Sequence, residues 1–201
     1  MPVLYLQGGA GDPRSGIGRL VHEVAWPTGL KAPVLDADWL AQPFQTQLEC
    51  VGEWMEDADA VIGYAWGAHL LLCALEGAAQ LRQPGLSGLF LSCFFSKGQF
   101  TGRHGKHYRL PRSGKIHEAL SAGGVLSSCD FRFVHGVQDT LAPIQQLDFL
   151  GDSSFSIQRV GAGHRLLGPG EEVVCGELER LRARLMHVQQ HSPLVESADC
   201  G

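Results

Sequence analysis

Gly63-Tyr64-Ala65-Trp66-Gly67 joins two apolar runs of different period, and few folds accommodate such a joint. Before it, Asp59-Ala60-Val61-Ile62-Gly63 is short, branched and bounded by turn residues, which reads as a buried strand. After it, residues 65 to 79 are apolar almost without interruption and long enough for a buried helix. A strand that enters a helix through five residues must turn sharply. Small residues at both ends of the turn are what such a turn demands, because a side chain there would collide with the backbone beside it.

The same alternation of strand and helix recurs along the chain. Val3–Leu6 reads as a strand ending at Gly8-Gly9, and Ile17, Leu20, Val21 and Val24 give helical spacing from about 15 to 24. Pro33 to Asp36 is expected to be a second strand, residues 38 to 55 a loose helix, and 88 to 92 a further strand. Residues 131 to 136 and 154 to 160 read as the last two strands. Val174, Leu178, Leu181, Leu185 and Val188 then mark a final helix, with Glu171 and Glu172 at its start as the helix dipole favours. Alternating strands and helices predict an α/β fold, a mostly parallel sheet covered on both faces. We expect one domain over residues 1–190, a stretch at 93–120 that breaks the rhythm as a lid or inserted loop, and a loose tail over 191–201.

Composition narrows the function classes. The 201 residues are 44% apolar and 18% charged, the balance of a globular chain with one core. A net charge of −5 supplies no basic field, so nucleic acid and anionic membrane are not expected partners. No apolar run approaches the roughly 20 residues of a spanning helix. The amino terminus lacks the basic and apolar regions of a signal peptide, so a cytoplasmic location is expected. Six scattered cysteines contain no C-x-x-C pair, which argues for free thiols and against a zinc site. Two nucleotide loops also fail. Gly9-x-Gly11 has Arg14 where a third glycine belongs, and the Gly11/Gly16 spacing is followed by Ile17 instead of lysine. No cofactor and no metal are expected; His104 and His107 have no carboxylate in their segment.

Two glycines with three residues between them mark only a tight turn when they stand alone. Here they have company. Asp139 falls in the loop after the strand at 131–136, and His164 falls in the loop Gly161-Ala162-Gly163-His164 after the last strand. Gly8 and Gly9 end the first strand. The order is position 65, then an acid, then a histidine. Between Glu76 and Glu118 there is no Asp or Glu, so the loop after the 88–92 strand offers no competing acid.

In these residues the chain resembles the α/β-hydrolases, and most of all the compact esterases and thioesterases with little or no cap. The turn matches their G-x-S-x-G nucleophile elbow except at its centre. The resemblance implies position 65 as nucleophile, Asp139 as acid, His164 as base, and an oxyanion hole from Trp66 and the Gly8/Gly9 loop. It implies a serine hydrolase of carboxylic esters or thioesters working through an acyl-enzyme. Amide hydrolysis with the same triad is an alternative. Ala65 departs from the pattern where it matters most, since it has no oxygen to attack with. Either a Ser→Ala replacement disarmed a working enzyme, or the chain is a pseudoenzyme that binds a ligand or partner. The joint presence of acid, base and both glycines favours the first.

Lys97, Arg103, Lys106, Arg109, Arg112 and Lys115 put six basic side chains between residues 97 and 115 with no acid in that span. They suit an anionic small-molecule or carrier-linked acyl substrate, or simply solvate a loop. Tyr64, Phe94, Phe95, Arg103 and Arg109 are therefore candidate substrate contacts, with core packing as the alternative for the two phenylalanines.

Overall fold

A computed structural model describes residues 2–10, 12–78, 86–95, 100–101, 107–108 and 110–191. Six strands form one parallel sheet: β1 (Val3–Leu6), β2 (Leu30–Lys31), β3 (Ala60–Tyr64), β4 (Ser87–Leu91), β7 (Asp130–Gly136) and β8 (Ser156–Val160), in the spatial order β2-β1-β3-β4-β7-β8. Between β4 and β7 in the chain, β5 (Phe100–Thr101) and β6 (His107–Tyr108) make a separate antiparallel pair. The helices are α1 (Ile17–Glu23), α2 (Ala37–Leu40), α3 (Phe44–Met55), α4 (Trp66–Ala78), α5 (Ser113–Leu120) and α6 (Pro169–His191), with a 3-10 helix at Ile144–Leu150.

Strand periodicity divides the core in two. Leu4, Leu6, Val61, Phe90, Phe131 and Phe133 face α3, α4, α5 and the 3-10 helix; Val3, Tyr5, Ala60, Ile62, Leu89, Leu91 and Val134 face α1 and α6. Successive residues of one strand thus go to opposite layers, as the pleat requires. The chain runs outward from β1 to β2 and then crosses back to β3 on the other side of β1. The carboxyl ends of β1 and β3 flank this reversal, where open α/β sheets leave a crevice.

Three expected elements differ. The second strand lies at Leu30–Lys31, not 33–36, because Pro33 has no N–H to give the ladder; Val34 is exposed and Leu35 buried outside it. The expected 38–55 helix is two helices. Pro43 caps α3 and keeps the residue before it from continuing a helix, while the Asp36 carboxylate accepts the Trp39 N–H at 2.7 Å to start α2. On α6, Val174, Leu178, Leu181 and Leu185 are buried but Val188 is 53% exposed. A 23-residue helix is about 34 Å long and outruns strands of five to seven residues.

Within the 93–120 stretch, α5 seals its Ile116 and Leu120 into the core beside α4. Arg112 sits at its amino end and pairs with Glu76 of α4 at 2.6 Å. Lys97, Arg103, Lys106, Arg109 and the tail beyond residue 191 lie outside the described residues. No helix among those described is long and apolar enough to cross a membrane.

Candidate active site

Ala65 stands between β3 and α4 at φ 49°, in the left-handed region that a residue with a Cβ rarely adopts. Its neighbours force it there. A Cβ on Gly63 would come 2.4 Å from the Ala68 Cα, and one on Gly67 would come 2.3 Å from the Leu6 carbonyl oxygen. Both glycines are therefore steric necessities for α4 to lie against β3 and the end of β1. The turn also presents the first N–H groups of α4, beginning with Trp66, which have no acceptor earlier in their own helix. Across from it, Gly8 lies so close that a Cβ there would be 2.7 Å from the Ala65 Cβ; Gly9 has open space. Gly8, Gly9, Tyr64, Tyr5, Gln7 and Asp12 line a cavity of about 150 Å³ beside this contact.

Asp139 and His164 meet on the neighbouring loops. His164 Nδ1 is 2.7 Å from Asp139 Oδ2. The other carboxylate oxygen accepts the N–H groups of Leu141 and Ala142 at 2.9 and 2.8 Å, and the carboxylate is fully buried. The Asp139 loop is stitched to the His164 loop by Val137 N–H to Val160 O and Gln138 N–H to Ala162 O. A Cβ on Gly136 would lie 2.2 Å from the Ala162 oxygen, so glycine lets the loops approach. His135, near the end of β7, donates from Nε2 to Ala142 O at 2.6 Å. Its burial lowers its pKa and keeps the ring neutral.

With Nδ1 committed to Asp139, His164 has Nε2 left for a reacting group. The imidazole is flanked by Phe94, with ring centroids 5.3 Å apart at 27°, and by Tyr64 at 5.8 Å and 35°. Burial and the Asp139 charge push the Tyr64 phenol up to about 12, so it stays protonated and can donate.

Phe94 also covers Ala65. Ala65, Phe94, Leu110 and Ala142 form a small apolar cluster with Tyr64 and Trp66 packed against it, leaving Ala65 only 3% exposed. Phe95, expected on the same wall, packs instead in the α4-side core against Phe133 and Phe149. Arg103 and Arg109, expected to contact substrate, lie outside the described residues.

Two residues that sequence reasoning did not place in the site hold its edges. His69 on α4 lies with Nδ1 3.1 Å from Phe94 O and Nε2 3.0 Å from Pro111 O, bridging both roots of the 93–112 stretch. Burial drives its pKa down to about 4, so the ring is neutral and gives one N–H. Ser92, at the tip of β4, donates to the His164 carbonyl. Neither contact leaves a spacing signature in the sequence.

No protein-family model matches the sequence, and no curated protein does. Solved structures do. A hydrolase of the alpha/beta superfamily from Xanthomonas campestris aligns over 90% of this chain and 98% of its own, with 14% identity and a TM-score of 0.62. The fold is that of an α/β-hydrolase. Mouse alpha/beta hydrolase domain-containing protein 10 aligns over 92% of this chain and 90% of its own at 12% identity and TM-score 0.64. Est1E from Butyrivibrio proteoclasticus covers 92% and 88% at 11% identity, also with TM-score 0.64. Along the chain the β3–α4 turn comes first, then Asp139 after β7 and His164 after β8.

Proposed function

We propose that this is the acyl-transfer site of a serine hydrolase acting on carboxylic esters or thioesters, disarmed by Ala65 at the nucleophile position. The observation that carries the reading is the strained left-handed backbone of Ala65 beside a formed Asp139–His164 pair. Holding a residue at positive φ has a use when its side chain must stand clear at a strand tip, and alanine has nothing to present there. Structural neighbours include an esterase domain from Rhodothermus marinus and a monoacylglycerol lipase from Paleococcus ferrophilus, both under 25% identical to this chain.

With serine at position 65, the reaction follows from the groups present. His164 Nε2 takes the hydroxyl proton as Oγ attacks the acyl carbon. Asp139 holds the ring so that Nε2 faces the nucleophile, and it stabilises the imidazolium. N–H groups of Trp66 and the Gly8/Gly9 loop receive the carbonyl oxygen as it gains charge. His164 then protonates the leaving alkoxide or thiolate, and water releases the acid by the reverse proton path. A restored Ala65→Ser protein should hydrolyse p-nitrophenyl esters and acyl thioesters that the parent leaves intact. Inertness toward the whole panel would defeat the proposal. An anionic acyl carrier drawn by the basic 97–115 run adds a salt signature: kcat/KM of the restored enzyme falls as ionic strength rises.

One observation favours a second reading. Phe94 and Leu110 close over Ala65, an environment suited to a methyl group. A binding protein without turnover would use the site in this state, and it predicts that Ala65→Ser gains nothing.

A further inference from the structure

Ser92 occupies the end of β4, the strand tip whose loop carries no acid in this chain. Its backbone is strained as Ala65 is, at φ 45°, and it is fully buried. Two strained residues therefore stand at the tips of adjacent central strands, β3 and β4. The tips are joined by Ala65 N–H to Leu91 O at 2.9 Å, and β4 is joined onward by Ser92 N–H to Val134 O at 2.9 Å. Backbone strain of this kind persists where surrounding structure enforces it and clusters at functional sites.

The Ser92 hydroxyl donates to the main-chain carbonyl of His164 at 2.8 Å, and the Tyr64 hydroxyl donates to the same oxygen at 3.3 Å. Other carbonyls of the base loop are held from elsewhere. Val160 O and Ala162 O accept from the acid loop, and Gly163 O accepts from Leu166 N–H. The His164 carbonyl is thus tied by side chains that come from the tips of β3 and β4, Tyr64 beside Ala65 in the chain and Ser92 on the neighbouring strand.

We propose that Ser92 is a positioning residue for the base: its hydroxyl ties the His164 backbone to the strand tips that carry position 65. The inference rests on the hydrolase reading above. Asp139 sets the rotation of the imidazole, and Ser92 sets how far the imidazole stands from the nucleophile position. Misplacing a reacting group by about 1 Å costs on the order of a hundredfold in rate. The loss of one anchor, with Tyr64 retained, is expected to be smaller.

The test combines Ser92→Ala with Ala65→Ser. Alanine tolerates this backbone, as Ala65 itself shows at φ 49°. We expect kcat to fall about tenfold or more relative to Ala65→Ser alone, with KM nearly unchanged. Tyr64→Phe, which removes the longer bond, is expected to do less. The parent chain gives a second readout independent of turnover. Its His164 Nδ1 proton, shielded in the bond to Asp139, should exchange faster with water and broaden in Ser92→Ala.

An unchanged kcat in the double variant overturns the proposal. So does a loss of kcat accompanied by a comparable rise in KM and a lower Tm, which marks a merely structural hydroxyl. If Ala65→Ser alone never turns over, the hydrolase reading is what fails. The Nδ1 proton then decides on Ser92 by itself: broadening upholds the tie to His164, and an unchanged resonance overturns it.

Discussion

On the β7–β8 side of the site, Asp139 and His164 are held by a dense polar net. Asp139 accepts two backbone N–H groups and faces His164, whose own carbonyl takes two hydroxyls. On the β3–α4 side, Ala65 has only backbone bonds, its N–H to Leu91 O at 2.9 Å and its carbonyl from His69 N–H at 3.2 Å, and contact shapes the rest of the turn. Gly63 and Gly67 let backbone approach backbone, and an apolar cluster closes over the methyl group. The shape of this turn comes from its flanking glycines and not from the residue at its centre. Steric exclusion sets the backbone of the turn with alanine at its centre, whereas the Asp139–His164 pair is positioned by bonds that can be removed singly.

The largest break is expected on the polar side. In an Ala65→Ser background, Asp139→Asn should lower kcat about 10⁴-fold by admitting the wrong imidazole tautomer, read as initial rates on an activated ester. The steric side should break through stability. Gly67→Ala puts a Cβ 2.3 Å from Leu6 O and 2.5 Å from Gln7 O, and neither backbone atom can swing away. A loss of about 3 kcal/mol in urea unfolding is expected.

A pH titration of stability probes the roof over Ala65. His69 titrates near 4 in the folded protein because of burial, against its ordinary value of 6.5. Between those values the unfolded chain holds the extra proton. Stability should therefore fall as pH drops from 6.5 toward 4, by up to about 3 kcal/mol from this group. His135, also lowered by burial, works in the same direction. A His69→Gln variant should flatten that slope in urea melts. The smallest effect belongs to Gln47→Ala. Gln47 accepts the Trp66 indole N–H at 3.3 Å and donates to Leu40 O and Gln42 O, so about 1 kcal/mol should be lost.

What could be read from the sequence follows the same division. The elbow announces itself through glycine spacing because steric demands are local. Asp139 and His164 are legible because each follows a strand of clear pattern. The tie from Ser92 to His164 crosses 72 residues and depends on which strand tips become neighbours, so no local pattern encodes it. The helix α5 was obscured by the glycines and basic residues ahead of it, and only packing of Ile116 and Leu120 on α4 reveals it as core. Phe94 and Phe95 look equivalent in sequence yet one ring lies beside His164 and the other in the core, a split set by their tertiary neighbours.

The central claim is that position 65 lacks only an oxygen. Intact-mass spectrometry after a fluorophosphonate probe tests it directly, on the parent, on Ala65→Ser, and on Ala65→Ser with His164→Ala. The account predicts one adduct per chain, mapped to residue 65, on the Ala65→Ser protein alone. An Ala65→Ser protein that stays unlabelled, or that labels equally well without His164, would contradict it.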